Sequence, residues 1–278
     1  MPLLSAFADE VTDDFRGQIS FLASEDVHYI EIRFLDKKNV ADLTHAEAVA
    51  VKRLMDDHNV RVSAVASPIG KIRIDEPFEP HLERFKRAIE HAVLFQAPFI
   101  RIFSYYPPAG EDIALHRTTV IERMRKKVEL LEGTDLVLLH ENESDIYGST
   151  AERCVDLMTS VNSPRLRLAY DPANFVWGHS IADNVRSCWP KMKPYVAHVH
   201  IKDWKIGETH VGSLPGEGDG QIPELLAELS TMKYEGFLTI EPHLKSAGQF
   251  GGETGPELFS VAIRVTRELC QSAGLKTN

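Results

Sequence analysis

Eight short runs of apolar and β-branched residues, with stretches of helical periodicity between them, constrain this 278-residue chain more than any other feature. The runs are Leu3–Ala8, His28–Arg33, Val60–Ala66, Phe99–Phe103, Asp135–Glu141, Arg165–Asp171, Val196–Lys202 and Phe237–Glu241. Between two of them, Leu82, Phe85, Ala88, Ile89, Ala92 and Val93 recur at three- and four-residue steps, which gives a helix one apolar face. Thr44 and Glu47 have the spacing of a capping box at the start of another helix. A last helix is expected from about Pro256 to Cys270, with Leu258, Val261, Ile263, Val265 and Leu269 as a ragged stripe. Regular alternation of strand and helix asks for a parallel sheet covered by helices. Eight units in this length predict the α/β class and one closed (β/α)8 barrel over residues 1–278. No linker rich in Gly, Ser or Pro divides the chain. An open, doubly wound sheet would want a glycine turn for phosphate after its first strand, and Phe7-Ala8-Asp9-Glu10-Val11 offers none.

Composition enters only as a filter. A formal charge of −10 weighs against a nucleic-acid partner, because phosphate binding draws on clustered Lys and Arg. It leaves room for a small anion in a local basic pocket. Cys154, Cys188 and Cys270 are odd in number and form no CxxC pair, so a reduced, cytoplasmic setting is expected. The first residues lack the pattern of a signal peptide, and no apolar stretch has the length of a membrane span.

Ionisable residues gather where the strands end. Strand two finishes in Glu31-Ile32-Arg33, strand five in His140-Glu141-Asn142-Glu143, strand six in Tyr170-Asp171-Pro172-Ala173-Asn174, and strand eight in Ile240-Glu241-Pro242-His243. Strand seven carries His198-Val199-His200-Ile201-Lys202-Asp203. In a barrel of this kind, chemistry sits at the C-terminal strand ends. Side chains alternate along a strand, so His198, His200 and Lys202 share a face, which points into the barrel mouth. Burying three such groups without partners is costly. They are either hydrogen-bonded interior residues, or one histidine joins the strand-end carboxylates on a metal ion. Three carboxylates and one imidazole suit Mn²⁺, Mg²⁺ or Co²⁺, and Zn²⁺ is compatible. Such a cation acts as a Lewis acid toward a vicinal hydroxy-carbonyl and stabilises an enediolate.

Five segments carry a resemblance: Leu139-His140-Glu141-Asn142, Tyr170-Asp171-Pro172-Ala173-Asn174-Phe175, Ala197-His198-Val199-His200-Ile201-Lys202-Asp203, Pro215-Gly216-Glu217-Gly218-Asp219-Gly220 and Leu238-Thr239-Ile240-Glu241-Pro242. In order and placement the chain resembles the xylose isomerase-like TIM barrel superfamily, which includes sugar isomerases, ketose 3-epimerases, inosose dehydratases and endonuclease IV-type repair enzymes. The resemblance implies a (β/α)8 TIM barrel with Glu141, Asp171, His200 and Glu241 as ligands of one divalent metal. It also implies that Glu141 and Glu241 transfer protons, which requires a carboxylate oxygen free to reach the substrate carbon.

Two positions depart from that pattern. Glu143 stands where many relatives have a histidine, and Asn174 where ketose epimerases have one. Glu143 is expected to bind a hydroxyl, fill a structural role, or serve as an extra acid or base. Lys202 is expected to contact substrate or polarise a carbonyl. Lys71 either reaches a substrate oxygen or is an exposed loop lysine. Arg33 and Arg101 either bind a carboxylate or phosphate, or pair with barrel carboxylates. Asn174 and His198 complete the candidate substrate contacts. Tyr105, Tyr106, Trp177 and Trp204 lie near strand ends, where they pack in the core or rim or against a sugar face. The segment Pro215–Gly220 lacks the lysine and spacing of a phosphate loop and reads as a turn.

The expected function is therefore a metal-dependent isomerase or epimerase of a small sugar, keto-sugar or polyol derivative, acting in carbohydrate metabolism as a possible homo-oligomer. The runner-up is a lyase of the inosose or dehydroshikimate type. A DNA-repair endonuclease, which would call on His140 and His198 for further metal ions, is a remote third.

Overall fold

The computed structural model describes all 278 residues. The eight predicted runs each form a strand: β1 Leu3–Ala6, β2 Tyr29–Ile32, β3 Arg61–Ala66, β4 Phe99–Ile102, β5 Val137–Glu141, β6 Leu166–Tyr170, β7 Val196–Ile201 and β8 Phe237–Ile240. All neighbours pair in parallel, and β8 pairs with β1 to close an eight-stranded barrel. Most strands are shorter than the runs by one or two residues. The trimmed C-terminal residues include Arg33, Asp171, Lys202 and Glu241, so the backbone leaves the ladder where polar side chains collect.

The main helices are α1 Phe15–Ser24, α2 His45–Asp57, α3 Phe78–Phe95, α4 Arg117–Glu129, α5 Ala151–Val161, α6 Pro172–His179, α7 Ile222–Thr231 and α8 Pro256–Ser272. The Thr44/Glu47 capping box at α2 is formed, satisfying orphan N–H groups of its first turn. Helix α3 buries Leu82, Phe85, Ala88, Ala92 and Phe95 against the sheet. Helix α8 differs from its expected stripe. Its buried face is Phe259, Ala262, Ile263, Thr266 and Cys270, while Leu258 is exposed. That set follows the 3.6-residue period, which the apolar residues of the segment do not.

Alternation along the strands sends one set of side chains inward. The floor of the barrel holds Tyr29, Phe99 and Phe237, whose rings meet edge to face. Above them, Ser5 and Ser63 share a hydrogen bond of 2.6 Å, and Glu31 lies against His198. Higher still, the interior turns to carboxylates and cations. Between β7 and α7 runs a long loop clasped by the buried Asp203, whose carboxylate accepts N–H bonds from Trp204, Gly216, Gly218 and Gly220 at 2.8–3.0 Å. A Cβ at Gly218 would collide with Asp203 Oδ1, so this glycine segment is built for close approach to a carboxylate of the chain itself. No helix is long and apolar enough to cross a membrane.

Candidate functional site

Four strand ends converge at the barrel mouth. Glu141 closes β5, Asp171 follows β6, His200 lies within β7 and Glu241 follows β8. All four are buried, and one ligand-type atom from each lies within 4.8 Å of the others. His200 Nδ1 is 3.5 Å from Glu141 Oε1, 3.7 Å from Asp171 Oδ2 and 3.5 Å from Glu241 Oε2.

Local structure holds each of them. Asp171 caps α6, with Oδ1 accepting the Asn174 N–H at 3.1 Å and Pro172 opening the helix. Its peptide is bracketed by the Asn142 side chain, which donates to Asp171 O and accepts from Asp171 N. Glu141 Oε1 accepts from Asn174 Nδ2 at 3.1 Å, and Oε2 lies 3.2 Å from Arg101 Nη1. Glu241 Oε1 accepts from Arg33 Nη1 at 2.6 Å. Arg33 is held in turn by the carboxylate of Asp9 at 2.7 Å and lies over the Phe7 ring.

The remaining atoms test whether a cation fits. Glu141 Oε2, Asp171 Oδ2, Glu241 Oε2 and both ring nitrogens of His200 are buried without a hydrogen-bond partner. Native interiors avoid such orphans unless an ion or water completes them. Two neighbouring trios, Glu31/His198/His200 and Glu10/Glu241/His243, also bring ligand-type atoms together. Each contains a direct bond already: His198 Nε2 to Glu31 Oε2 at 2.7 Å, and His243 Nδ1 to Glu10 Oε1 at 2.8 Å. The first trio also leaves Glu31 Oε1 and His198 Nδ1 without a hydrogen-bond partner, but it brings only one carboxylate, whereas the four-residue cluster brings three together with an imidazole. Three carboxylates and an imidazole form a donor set suited to a hard or borderline divalent cation.

Electrostatics agree with this. Burial alone would raise the Glu141 pKa, but Arg101 and His200 outweigh it and hold the carboxyl down at about 2. Burial likewise opposes ionisation of Glu241, and Lys202, His243 and Arg33 overcome it, keeping the group well below the usual carboxylate range. At Asp171 burial prevails over Lys202 and the pKa is raised, a cost that a cation beside Oδ2 removes. His200 Nε2 lies 3.3 Å from Glu31 Oε2, which leaves Nδ1 facing the carboxylates.

The cluster opens into a cavity of about 280 Å³. Of the expected substrate contacts, Lys202, Glu143, Asn174, Lys71 and Arg101 all line it. Lys202 Nζ stands 3.3 Å from Asn174 Oδ1, 3.4 Å from Asp171 Oδ2 and 3.7 Å from Glu241 Oε2. Lys71 is a largely buried side chain bonded to Glu143 Oε2 at 2.8 Å and to Gln249 O at 2.5 Å, not an exposed loop lysine. Both arginines are paired with barrel carboxylates, Arg33 with Glu241 and Arg101 with Glu141.

His198 is placed elsewhere. It lies one layer below the cluster, fully buried, with Nε2 shared between Glu31 and Thr239, and it does not line the cavity. The alternation along β7 is as expected, but two residues of strand rise set His198 below the cavity lining. His140 faces outward from the wall, bonded to Ser104 Oγ at 2.9 Å, and joins no metal-type cluster. Tyr105 is buried in the main core, whereas Tyr106, Trp177 and Trp204 line the cavity.

Sequence reasoning did not single out His243. It lines the cavity, adopts a left-handed backbone (φ 51°) and is oriented by the buried Glu10, which also accepts from the His243 N–H and from Thr254 Oγ1. Its place two residues beyond a strand-end glutamate was the available signal. Glu31 was missed as a support because its histidine partners lie on the distant strand β7, and Asp9 because its partner Arg33 follows the next strand, 24 residues on.

The family whose description matches this chain is the xylose isomerase-like TIM barrel, over residues 19–269. Solved structures with the same fold include a xylose isomerase-like TIM barrel protein from Mycobacterium smegmatis in complex with magnesium, 15% identical, with a TM-score of 0.76 over 98% of this chain and 97% of that one. Another is the probable 3-DHS dehydratase involved in petrobactin synthesis from Bacillus anthracis, 16% identical, with a TM-score of 0.75 over 95% and 98%. A third is the 3-keto-D-glucoside 4-epimerase from E. coli, 13% identical, with a TM-score of 0.75 over 96% and 100%. Likeness at these identities establishes the fold. No curated protein matches the chain in sequence.

Proposed function

Because this chain belongs to the xylose isomerase-like TIM barrel family, we propose that it is a divalent-metal-dependent enzyme that isomerises or epimerises a small sugar, keto-sugar or polyol derivative. The observation that carries this reading is the convergence of Glu141, Asp171, His200 and Glu241, each with a buried atom that has no hydrogen-bond partner. A bound Mn²⁺, Mg²⁺ or Co²⁺ supplies Lewis-acid polarisation of a substrate carbonyl and stabilises the negative charge that proton removal creates.

The protein's own groups move the proton. Glu141 is ionised and presents two oxygens, Oε1 toward His200 and Oε2 beside Arg101, so that one can ligate a cation while the other accepts a proton from substrate carbon. Glu241 offers Oε1, shared between Arg33 and the His243 ring 3.6 Å away. Two carboxylates on one cavity allow removal on one side and return on the other. Lys202 donates toward a substrate oxygen, and Asn174 fixes both Lys202 and Glu141. Glu143, tied to Lys71, serves as a hydroxyl acceptor at the wall, and Arg101 holds Glu141 in its charged form.

Chelation with EDTA should abolish turnover of a keto-sugar panel, and Mn²⁺ or Co²⁺ should restore it. Turnover in deuterated water should carry deuterium into the substrate carbon. A panel in which no carbohydrate or keto-acid exchanges a proton removes the proposal.

A dehydratase reading is favoured by one observation. His243, oriented by Glu10, stands on the cavity wall beside Glu241 as a further proton carrier for an expelled hydroxyl. Ultraviolet absorbance of a conjugated enone among the products would select it over epimerisation.

A further inference from the structure

The cavity has two chemically distinct halves. Its inner half is polar and buried, formed by Glu141, Asn174, Lys202, Glu241 and His243. Its mouth carries two exposed aromatic side chains beside polar residues such as Asp145, Thr209 and Gln249. Of three tryptophans, thirteen phenylalanines and seven tyrosines in the chain, only Trp177 and Phe250 are exposed, at 44% and 49%, and both line this cavity. Exposed large aromatic side chains ask for a reason when they coincide at one opening, because each leaves apolar surface in water.

The two residues sit on different supports. Trp177 lies near the end of α6, the helix that Asp171 caps, and its ring is 6.1 Å from that of Trp204. Trp204 is buried and fixed by its ring N–H, which donates to Glu208 O. Phe250 is at the tip of a hairpin formed by Ser246–Gly248 and Gly251–Glu253, whose Gln249 carbonyl accepts from Lys71. The enclosed volume, about 280 Å³, lies just below the range of about 300–1,000 Å³ that accommodates drug-sized ligands. Trp177 and Phe250 line its exposed end, and the buried polar residues line its inner end.

Resting on the proposed function, we infer that the substrate is a sugar or polyol joined to a second ring, whose flat apolar face packs between Trp177 and Phe250. The polar inner half takes the reacting ring. The mouth takes the appended one, either an aryl group or a second sugar ring, both of which present an apolar face to an aromatic side chain.

Calorimetric titration of the purified protein with phenyl β-D-glucoside, cellobiose and methyl β-D-glucoside tests this. At least one of the two-ring probes should bind about five- to tenfold more tightly than the methyl glycoside. Preference for the phenyl glycoside alone identifies an aryl group, and preference for cellobiose alone a second sugar. Trp177→Ala and Phe250→Ala should each erode the preference, while the methyl glycoside, too short to reach the pair, keeps its affinity within about twofold. Trp177→Tyr should restore most of it, which a folding defect would not. Equal affinities for the three probes, no binding of either two-ring probe, or a preference indifferent to both alanine variants overturns the inference. The titration needs no turnover. A protein that prefers the two-ring probes but catalyses nothing keeps this inference and loses the function, and one that turns over free keto-sugars without ring preference does the reverse.

Discussion

Two buried polar clusters lie on opposite sides of the barrel wall. The inner one is the Glu141/Asp171/His200/Glu241 group. The outer one surrounds Lys127 on α4, with His140, Ser104 and Tyr105 nearby on the helix-facing side. Both contain unpartnered buried atoms, among them His140 Nδ1 and Tyr105 Oη in the outer cluster. Burying such groups is costly in either place, and the two places resolve the cost differently. Burial and the Arg123 charge lower the Lys127 pKa to about 7, and burial takes His140 down to about 3, so the outer cluster sheds charge. In the inner cluster attractive partners outweigh burial at both glutamates, which stay ionised. The outer groups also line no part of the mouth cavity. Burial of polar atoms does not by itself make a functional site. What sets the inner cluster apart is the convergence of charged atoms beside an open cavity.

Substitutions can break or sharpen this contrast. The largest effect is expected at the inner cluster: His200→Ala or Glu241→Gln should lower kcat/KM by about 10²–10⁴-fold and abolish tight Mn²⁺ binding, read by steady-state kinetics and calorimetry. Next comes a support of that cluster. Glu31→Gln removes the charge facing His200 Nε2 and should weaken Mn²⁺ affinity by about 10–100-fold with the fold intact by circular dichroism. An unchanged affinity would make Glu31 a mere neighbour. The outer cluster should respond in the opposite sense. Lys127→Met should raise unfolding stability by about 1–2 kcal/mol and leave kinetics unchanged.

The pH dependence of that last gain follows from linkage. An unfolded lysine titrates near about 10.4, whereas the native group titrates at about 7. Between those values the unfolded chain holds a proton that the native one lacks, so stability of the unsubstituted protein rises with pH. The advantage of Lys127→Met is therefore greatest at pH 7 and below and shrinks toward pH 10, which denaturant titrations at several pH values would measure. A gain that grew with pH would mean that Lys127 is stabilised by its surroundings. The smallest effect is expected at the surface. Lys52→Ala, which loses an exposed pair with Asp56, should change stability by under about 0.5 kcal/mol.

Much of this was legible in the chain, because the barrel expresses itself in local signals. Eight apolar runs, a helical period and a capping box are written within a few residues of one another. The candidate ligand types were also legible, since strand-end position and alternation along β7 gather carboxylates and histidines at the mouth, and the family resemblance selected His200 among them. What escaped is relational. That Glu31 sits beneath His200, that Asp9 steers Arg33 onto Glu241, and that Glu10 orients His243 depends on strand register across more than 200 residues in two of the three cases. His198 shows the same limit: alternation gives the face a side chain occupies, and depth along the barrel axis comes only from the closed sheet. The stripe expected on α8 missed because Thr266 and Cys270, which face the barrel, do not announce themselves by hydrophobicity.

The Asp203 clasp has a consequence for engineering. One carboxylate gathers backbone from both ends of the segment between β7 and α7, so the stem of residues 205–214 is fastened by the chain itself, while its body leans on the loop after β8 through Gly212 and His210. Transplants from kindred barrels should succeed when the recipient keeps the aspartate together with its spaced glycines. They should fray into protease-sensitive chain when either half of that fastening is left behind.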